Sequence, residues 1–183
     1  MPIRNLQHVA LTVPDLEVGR RFYSDFGLNV TERENQLIFR CDGRDQDQIQ
    51  LMEGAPKKLH HLCFGAREDE LPALQASIEK AGGTMVDAPK EASLGDGIWF
   101  HDFEGMLFNI KAAEDTPWDT TVPYEINHLG EKTRISRRHE LADFPAIRPR
   151  RLGHVVLFSS DLDRKMKFFE DALSARVSDR IAD

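Results

Sequence analysis

A short leucine–x–histidine signature occurs three times along this chain and constrains its fold more than any other feature. It appears as Leu6-Gln7-His8-Val9, as Leu59-His60-His61-Leu62 and as Leu152-Gly153-His154-Val155. Each copy opens a strand-like run that is followed by a helix-like run. Internal repetition of this kind indicates a chain built from equivalent structural units, each carrying a histidine at the same place.

The first and third copies are the most alike, because they align without a gap over about twenty residues. The middle copy shares mainly the signature itself and the amphipathic run after it. The identical pairs of the first and third copies are Leu6/Leu152, His8/His154, Val9/Val155, Leu11/Leu157, Asp15/Asp161, Leu16/Leu162, Phe22/Phe168 and Asp25/Asp171.

Charge and hydropathy exclude several classes of partner. The net charge of −7 and the pI near 5.5 argue against nucleic acid, because binding to the phosphate backbone needs a basic surface. No apolar run approaches the ~20 residues of a membrane helix. Residues 1–4 lead directly into a strand-like run without a signal-type apolar core. We therefore expect a cytoplasmic protein that binds neither nucleic acid nor membrane.

The first unit is predicted to be a strand, a helix and three further strands. In residues 6–13 the alternation places Leu6, His8, Ala10 and Thr12 on one face and the more apolar set of Val9, Leu11 and Val13 on the other. Asp15 is the predicted N-cap of a helix that Gly27 ends. Strands are expected at residues 29–32, 36–41 and 48–53.

The second unit repeats this order. A strand is predicted at residues 59–64, and Leu71, Leu74, Ile78 and Ala81 form the apolar stripe of a helix that stops at Gly82-Gly83. Further strands are expected at residues 84–86, 97–101 and 106–111. Two βαβββ units thus fit within residues 1–112, which we predict to be an α+β N-terminal module.

Hydrophobic periodicity is lost over residues 113–150, where prolines and basic residues accumulate. A stretch of this kind is predicted to be a linker arm that docks on the acidic body or on a partner subunit, rather than an anion-binding site. Residues 151–183 begin a second module but provide only a strand from Leu152, a helix from Asp161 to about Leu173, and the start of another strand at 176–181. The apolar side of that helix must pack on the first module, pack on another chain, or stay disordered.

The histidines are the candidate site residues. Imidazoles that project from strands into one cavity are good ligands for iron, zinc or manganese. His8 and His61 lie near each other if the two units pair about a pseudo-twofold axis. Where a carboxylate ligand is expected, the residue of the right parity is Asn109, a neutral amide. We therefore favour hydrogen-bonded cavity histidines over metal ligands at His8 and His61. His60, of opposite parity, and His101, beside a turn, are expected to be surface or packing residues.

This pattern resembles the vicinal oxygen chelate superfamily, which includes glyoxalase I, bleomycin-resistance proteins and extradiol ring-cleavage dioxygenases. The residues that carry the resemblance are the His8 strand with Asp15-Leu16 and Phe22-Tyr23-Ser24-Asp25-Phe26-Gly27-Leu28, then Leu59-His60-His61, then the run from Gly97 to Gly105. The resemblance implies paired βαβββ units that form a curved, mixed-sheet cup. In that family the last strand normally ends in a metal-binding glutamate, and Asn109 takes its place here.

Type I extradiol dioxygenases resemble two such modules in tandem, with a metal-free N-terminal module and Fe(II) in the C-terminal one. The resemblance places His154 at the first of the three metal-ligand positions. The other ligands and the catalytic residues would then lie beyond Asp183, so this chain alone is expected to be inactive. The implied substrates are an aromatic diol and O₂, and the alternative metals are Mn(II) and Zn(II). Open sheet edges and an incomplete module predict a homo-oligomer.

Two other functions stay open. The first is a glyoxalase-like metalloenzyme whose site combines His8 and His61 with a carboxylate such as Glu104 or Glu53. The second is a non-catalytic cup for a small aromatic ligand, lined by the aromatic residues Trp99, Phe108 and Phe39.

Overall fold

Eight strands form one open, curved, mixed sheet in the computed structural model, which describes residues 2–90, 95–114, 129–130 and 148–180. The strand order is β2-β3-β4-β1-β5-β8-β7-β6. The strands are β1 (Ile3–Val13), β2 (Asn29–Arg33), β3 (Gln36–Arg40), β4 (Ile49–Glu53), β5 (Lys58–Ala66), β6 (Thr84–Met85), β7 (Ile98–His101) and β8 (Leu107–Ala112). The α-helices are α1 (Leu16–Asp25), α2 (Leu71–Lys80) and α3 (Leu162–Leu173). The α+β class and the strands and helices predicted within residues 1–112 are confirmed, with ends shifted by a few residues.

The sheet is made of two equivalent units that meet at its centre. In the first unit β1 runs parallel to β4, and in the second β5 runs parallel to β8. The two units join through the antiparallel pair β1–β5, in which His8 lies opposite Cys63 and Ala10 lies opposite His61. The offsets 61 − 8 and 63 − 10 are both 53, so a pseudo-twofold axis between these strands exchanges His8 with His61.

Local sequence explains where the first elements begin and end. The Asp15 carboxylate accepts hydrogen bonds from the backbone N–H groups of Glu17 and Val18, which caps α1. Gly27 ends the helix with a φ of +97°. Glu34 and Asn35 have φ values of 49° and 65°, the pair of positive angles that a two-residue hairpin turn of type I′ requires.

The two faces of the sheet differ in character. The helix-covered face carries the apolar core, in which Phe39 and Leu51 lie beneath α1 and Phe100, Phe108 and Ile110 lie beneath α2. The opposite face, called the polar face below, buries hydrogen-bonding side chains. Its members include His8, Thr12, Gln36, Gln50, His61, Cys63, Trp99 and Asn109.

Three β-bulges interrupt the central pair β1–β5. Arg4 and Gln7 are the extra residues on β1, and His60 is the extra residue on β5. Because the bulge at Gln7 reverses the alternation, Leu6 lies opposite Phe64 while His8 lies opposite Cys63. The prediction that Leu6 shares a face with His8 is therefore wrong.

The predicted strand from Leu152 is not formed. Residues 151–159 have no strand structure, and neither do residues 176–180. A β-strand needs a neighbouring strand for its backbone hydrogen bonds, and none of the described strands pairs with this segment. The predicted helix is present as α3, and Asp161 caps it by accepting a hydrogen bond from the backbone N–H of Arg164.

Of the three fates predicted for this helix, packing on the first module is the one observed. The Phe168 ring lies 6.3 Å from that of Phe100 and 6.4 Å from that of Phe103. The Phe169 ring contacts Phe108 edge to face at 5.7 Å. Helix α3 thus lies beside α2 on the helix-covered face of the second unit.

A buried ion pair fixes α3 to the β7–β8 turn. Lys165 pairs with Asp102, and its Nζ also lies 2.7 Å from Oε2 of Glu104. Glu104 accepts further hydrogen bonds from the backbone N–H of Ser160 at 2.7 Å and from its hydroxyl at 2.6 Å. The hydrogen bond from Lys165, followed by those from Ser160, lowers the pKa of Glu104 to about 2. The turn and the start of α3 are therefore held together by charge as well as by aromatic packing.

No helix in the described ranges is both long enough and apolar enough to cross a lipid bilayer.

Removing the buried cation is expected to destabilise the fold. Lys165→Met leaves the Asp102 carboxylate uncompensated, with 0% of its side chain exposed, and should lower the free energy of unfolding by about 3–5 kcal/mol. Lys167→Met is the matched control, because Lys167 pairs with Asp171 on the exposed side of the same helix and should change little. Urea unfolding measures both variants, and equal stabilities would contradict this role of Lys165.

Candidate functional site

His8 and His61 meet at the centre of the polar face. Their Nε2 atoms lie 2.9 Å apart, so the rings share a hydrogen bond. His8 is 4% exposed and His61 is 1% exposed. The structure therefore brings together the two histidines that the repeat singled out.

His60 joins this pair, which the sequence analysis did not predict. Its Nδ1 lies 2.8 Å from Nδ1 of His61. Consecutive strand residues normally point to opposite faces, but here Ala10 pairs with His61 and Leu11 pairs with Leu59, which leaves His60 as the bulge residue. The assignment of His60 to the opposite face is thus wrong. The one sign in the sequence that His60 could join the pair is its position next to His61. The alternation of side chains along a strand does not reveal a bulge.

The three imidazoles form a hydrogen-bonded chain from the interior to an open cavity. At the inner end, Nδ1 of His8 is buried and has no hydrogen-bond partner among the described residues. At the outer end, His60 borders a cavity of about 590 Å³ together with His101, Glu104 and Phe158. His101 donates its Nδ1 hydrogen to the Gly105 carbonyl at 2.9 Å, so it belongs to the turn rather than to the chain of histidines.

Burial keeps the inner histidines uncharged. Desolvation, with a smaller contribution from the charge of Lys111, lowers the pKa of His8 to about 3. Desolvation, followed by the influence of His8, lowers the pKa of His61 to about 2. At neutral pH each ring therefore carries one N–H, and each shared hydrogen bond has one donor and one acceptor.

Asn109 is engaged in structural hydrogen bonds. Its Nδ2 donates to the carbonyls of Asp96 at 3.1 Å and Ile98 at 3.3 Å. Its Oδ1 accepts the thiol hydrogen of Cys63 at 3.0 Å. Burial raises the pKa of the Cys63 thiol to about 12, so the thiol keeps the hydrogen that it donates. The amide thus anchors the segment before β7 to β8 and β5.

Gln50 is the counterpart of Asn109 in the first unit. Gln50 lies beside Ala10 in the parallel pair β1–β4, as Asn109 lies beside Cys63 in the parallel pair β5–β8. Ala10 and Cys63 are exchanged by the pseudo-twofold axis, so Gln50 and Asn109 are exchanged as well. Both positions hold neutral amides. Sequence reasoning missed Gln50, because only the strand register makes the two positions equivalent.

The side chains around His8 and His61 do not provide a complete set of ligands for a divalent metal. Two imidazole nitrogens 2.9 Å apart could be neighbouring ligands of one ion, since metal–nitrogen bonds are about 2.0–2.1 Å long. A charged third ligand is missing, because no group of three His, Cys, Asp or Glu in the described ranges could hold a metal. Glu104, a proposed carboxylate ligand, binds Lys165 and Ser160 instead, and Glu53 is exposed at the end of β4.

The aromatic residues suggested for a ligand cup separate onto two faces. Trp99 is on the polar face, with its ring 4.8 Å from that of His61 and its Nε1 buried without a described partner. Phe39 and Phe108 are instead fully buried in the core of the helix-covered face. Strand parity therefore excludes these two phenylalanines from a cup that contains the histidines.

His154 lies apart from the histidine chain. It is exposed and belongs to the segment 151–159, which has no strand structure. Among the described residues, no hydrogen bond connects His154 with His8 or His61.

The buried histidines should make the protein sensitive to mild acid. An unfolded histidine binds a proton below pH 6.5, whereas folded His8 and His61 resist protonation until about pH 3 and pH 2. The unfolded state therefore takes up more protons, and stability is lost as the pH falls from 6.5. Each histidine contributes a slope of up to about 1.4 kcal/mol per pH unit.

Urea unfolding between pH 7.5 and pH 5 measures this slope above the range where most carboxylates titrate. The double variant His8→Asn/His61→Gln should show a shallower slope than the wild type. An equally steep decline in both proteins would mean that other groups cause the acid sensitivity.

Comparison with known proteins supports this architecture. Metapyrocatechase 2 of Cupriavidus necator is 32% identical over 99% of this chain and 55% of the relative. The manganese-dependent 2,3-dihydroxybiphenyl 1,2-dioxygenase of Geobacillus genomosp. 3 is 24% identical over 98% of this chain and 56% of the relative. The chain thus spans about half the length of these curated relatives.

A solved structure and a family model agree with these relatives. The crystal structure of an Mn(II)-bound glyoxalase from Novosphingobium aromaticivorans superposes with a TM-score of 0.53 at 26% identity, covering 63% of this chain and 43% of that one. Residues 5–110 match the family model described as Glyoxalase/Bleomycin resistance protein/Dioxygenase superfamily. With more than half of its length matched, and with two βαβββ units arranged as the sequence repeat predicted, the chain belongs to that superfamily.

Proposed function

We propose that this chain is part of an extradiol dioxygenase that opens the ring of an aromatic diol with O₂ and a divalent metal. The observation that carries the proposal is the 32% identity with metapyrocatechase 2, which extends over 99% of the chain and therefore includes the third histidine repeat. The second dioxygenase relative also aligns over nearly the whole chain.

In this proposal the two modules have different tasks. Residues 1–112 form a metal-free N-terminal module, residues 113–150 a linker arm, and residues 151–183 the start of the catalytic module. His8 and His61 hydrogen-bond to each other, and Asn109 hydrogen-bonds to Cys63 and to the backbone before β7, which suits a structural role. His154 is proposed as one of three metal ligands, with the catalytic residues beyond Asp183.

Fe(II) is the proposed metal, and Mn(II) is the alternative that the names of two similar proteins support. Bound metal would supply open positions for the two diol oxygens and O₂. One exposed imidazole cannot hold such an ion, so the residues described here do not complete a metal site. Activity is accordingly expected only when the second module is complete.

A glyoxalase-like metalloenzyme is the second candidate, because the fold superposes on an Mn(II)-bound glyoxalase. That function requires a metal on His8 and His61, with a carboxylate supplied from outside the described residues. It therefore predicts that metal binding depends on His8 and not on His154.

Two histidine substitutions distinguish the candidates in protein that carries a complete second module. His154→Ala removes a proposed metal ligand. Loss of a side chain that only hydrogen-bonds to a metal ligand costs about 10–100-fold. His154→Ala should therefore lower metal content and O₂ uptake with catechol by more than this. His8→Ala is the matched control and should leave metal content unchanged. Metal analysis and an oxygen electrode provide the readouts. Loss of metal in His8→Ala with retention in His154→Ala would reject the dioxygenase and favour the glyoxalase-like enzyme.

A further inference from the structure

A buried imidazole nitrogen of the polar face has no hydrogen-bond partner among the described residues. It is Nδ1 of His8, at the inner end of the histidine chain. His8 is 4% exposed, so bulk solvent does not supply this hydrogen bond. Buried polar atoms in folded proteins nearly always have a partner, which can be an ordered water or an ion. A molecule or ion bound at this nitrogen would therefore gain a hydrogen bond that the described protein groups do not provide.

A half-buried cation lies on the same face. Lys111 follows Asn109 by two residues on β8, so both side chains lie on the polar face. After desolvation, the charge of Lys111 is the second cause that lowers the pKa of His8. Burial raises the pKa of Cys63, and the charges of Lys111 and Asp96 modify it in opposite directions. Lys111 nevertheless forms no ion pair and no hydrogen bond with Asp96 or with any other described residue.

The strand register places Lys111 and His61 on opposite sides of His8. His8 lies opposite Cys63 on β5, and His61 precedes Cys63 by two residues. Gly65, the partner of Lys111, follows Cys63 by two residues. Because Nε2 of His8 faces His61, Nδ1 is directed away from His61. The Cα atoms of His8 and Lys111 are about 12 Å apart, from two strand spacings across and two residues along. A lysine side chain, an imidazole and one small ion together span this distance.

Hydrogen-bond donors of the first strand border the same place. A Cβ at Gly65 would collide with Oδ1 of Asn5 and would lie 2.9 Å from Nε2 of Gln7. The two amide groups therefore lie above Gly65, between β1 and Lys111. Nε2 of Gln7 donates one hydrogen to Oδ1 of Asn5 and carries a second one. The groups that meet here are thus a cation and N–H donors.

We propose that the polar face binds one small monovalent anion between the ammonium group of Lys111 and Nδ1 of His8, with the amide of Gln7 beside it. A positive charge and N–H donors select an anion, because a cation would be repelled by the ammonium group. A free halide and the carboxylate group of a small molecule share this chemistry. The site lies outside the metal centre of the proposed dioxygenase and does not depend on that function.

Binding of the anion fixes the direction of the hydrogen bonds along the histidine chain. His8 donates to the anion from Nδ1, so its Nε2 is bare and accepts the hydrogen on Nε2 of His61. His61 then accepts at Nδ1 the hydrogen on Nδ1 of His60. Occupancy of the anion site is thus transmitted to His60, which borders the cavity of about 590 Å³ at the other end of the chain.

Nitrogen NMR of the chain itself tests the proposal. Protein labelled with ¹⁵N at histidine is titrated with sodium chloride and, separately, with sodium formate, starting from a chloride-free zwitterionic buffer. At least one anion should give a saturable change, with hydrogen on Nδ1 of His8 and on Nδ1 of His60 in the saturated state. Saturation by formate alone would assign the site to a carboxylate group, by chloride alone to a halide, and by both to small anions in general.

Substitutions of lysine separate this site from a general effect of salt. Lys111→Met should weaken binding by at least about tenfold, because it removes the cation, and Lys111→Arg should retain binding. Lys58→Met is the matched control, since Lys58 is exposed at the start of β5, and should not change the saturation. A linear drift with salt for both anions, equal binding in Lys111→Met, or a bare Nδ1 of His8 at saturation would overturn the proposal.

Thermal unfolding provides a second measurement, and circular dichroism checks that each variant is folded. An anion that binds only the folded state raises the Tm in proportion to its occupancy of the site. The anion that saturates the NMR signal should therefore raise the Tm of the wild type and of Lys58→Met by more than that of Lys111→Met. Equal shifts in all three proteins would also overturn the proposal.

Discussion

The antiparallel pairing of β1 with β5 is the contact on which the rest of the molecule depends. It joins two βαβββ units into one sheet, places the pseudo-twofold axis between them, and sets His8 and His61 face to face. A shift of one residue in this register would place the two histidines on opposite faces of the sheet, because strand side chains alternate. The polar face is therefore a consequence of how two repeats meet, and neither unit contains it alone.

The polar face buries side chains that carry no charge, and this determines its chemistry. In a site closed to water, uncharged imidazoles and amides are stable when their hydrogen bonds are satisfied by one another. The two bonds of the histidine chain and the Cys63–Asn109 contact follow that rule, and Nδ1 of His8 departs from it. A carboxylate at Asn109 would face the carbonyls of Asp96 and Ile98, which now accept hydrogen bonds from the amide. The amide at Asn109 is therefore suited to a centre that is held together by hydrogen bonds.

The repeated signature, the hydrophobic periodicity and the family resemblance together predicted the fold class, the order of elements in residues 1–112 and, for units paired about a pseudo-twofold axis, the proximity of His8 and His61. Helix α3 was also predicted, because its spacing of apolar residues is a local property. The bulges at Gln7 and His60 were missed, since an extra strand residue leaves no trace in a periodic pattern, and this misplaced Leu6 and His60. The strand at Leu152 was predicted from its likeness to β1, but strand formation depends on a partner that local sequence does not specify. The pairing of Lys165 with Asp102, 63 positions apart in the chain, had no sequence signal.

The protonation of the two inner histidines is the decisive property to measure. In protein labelled with ¹⁵N at histidine, two-bond nitrogen–proton NMR spectra report which ring nitrogens carry hydrogen, and His8→Asn and His61→Asn assign the signals. We expect His8 and His61 each to keep one protonated and one bare nitrogen from pH 7 to pH 5, with coupling between the Nε2 atoms across their hydrogen bond. Two rings that become doubly protonated near pH 6.5, without that coupling, would contradict this expectation.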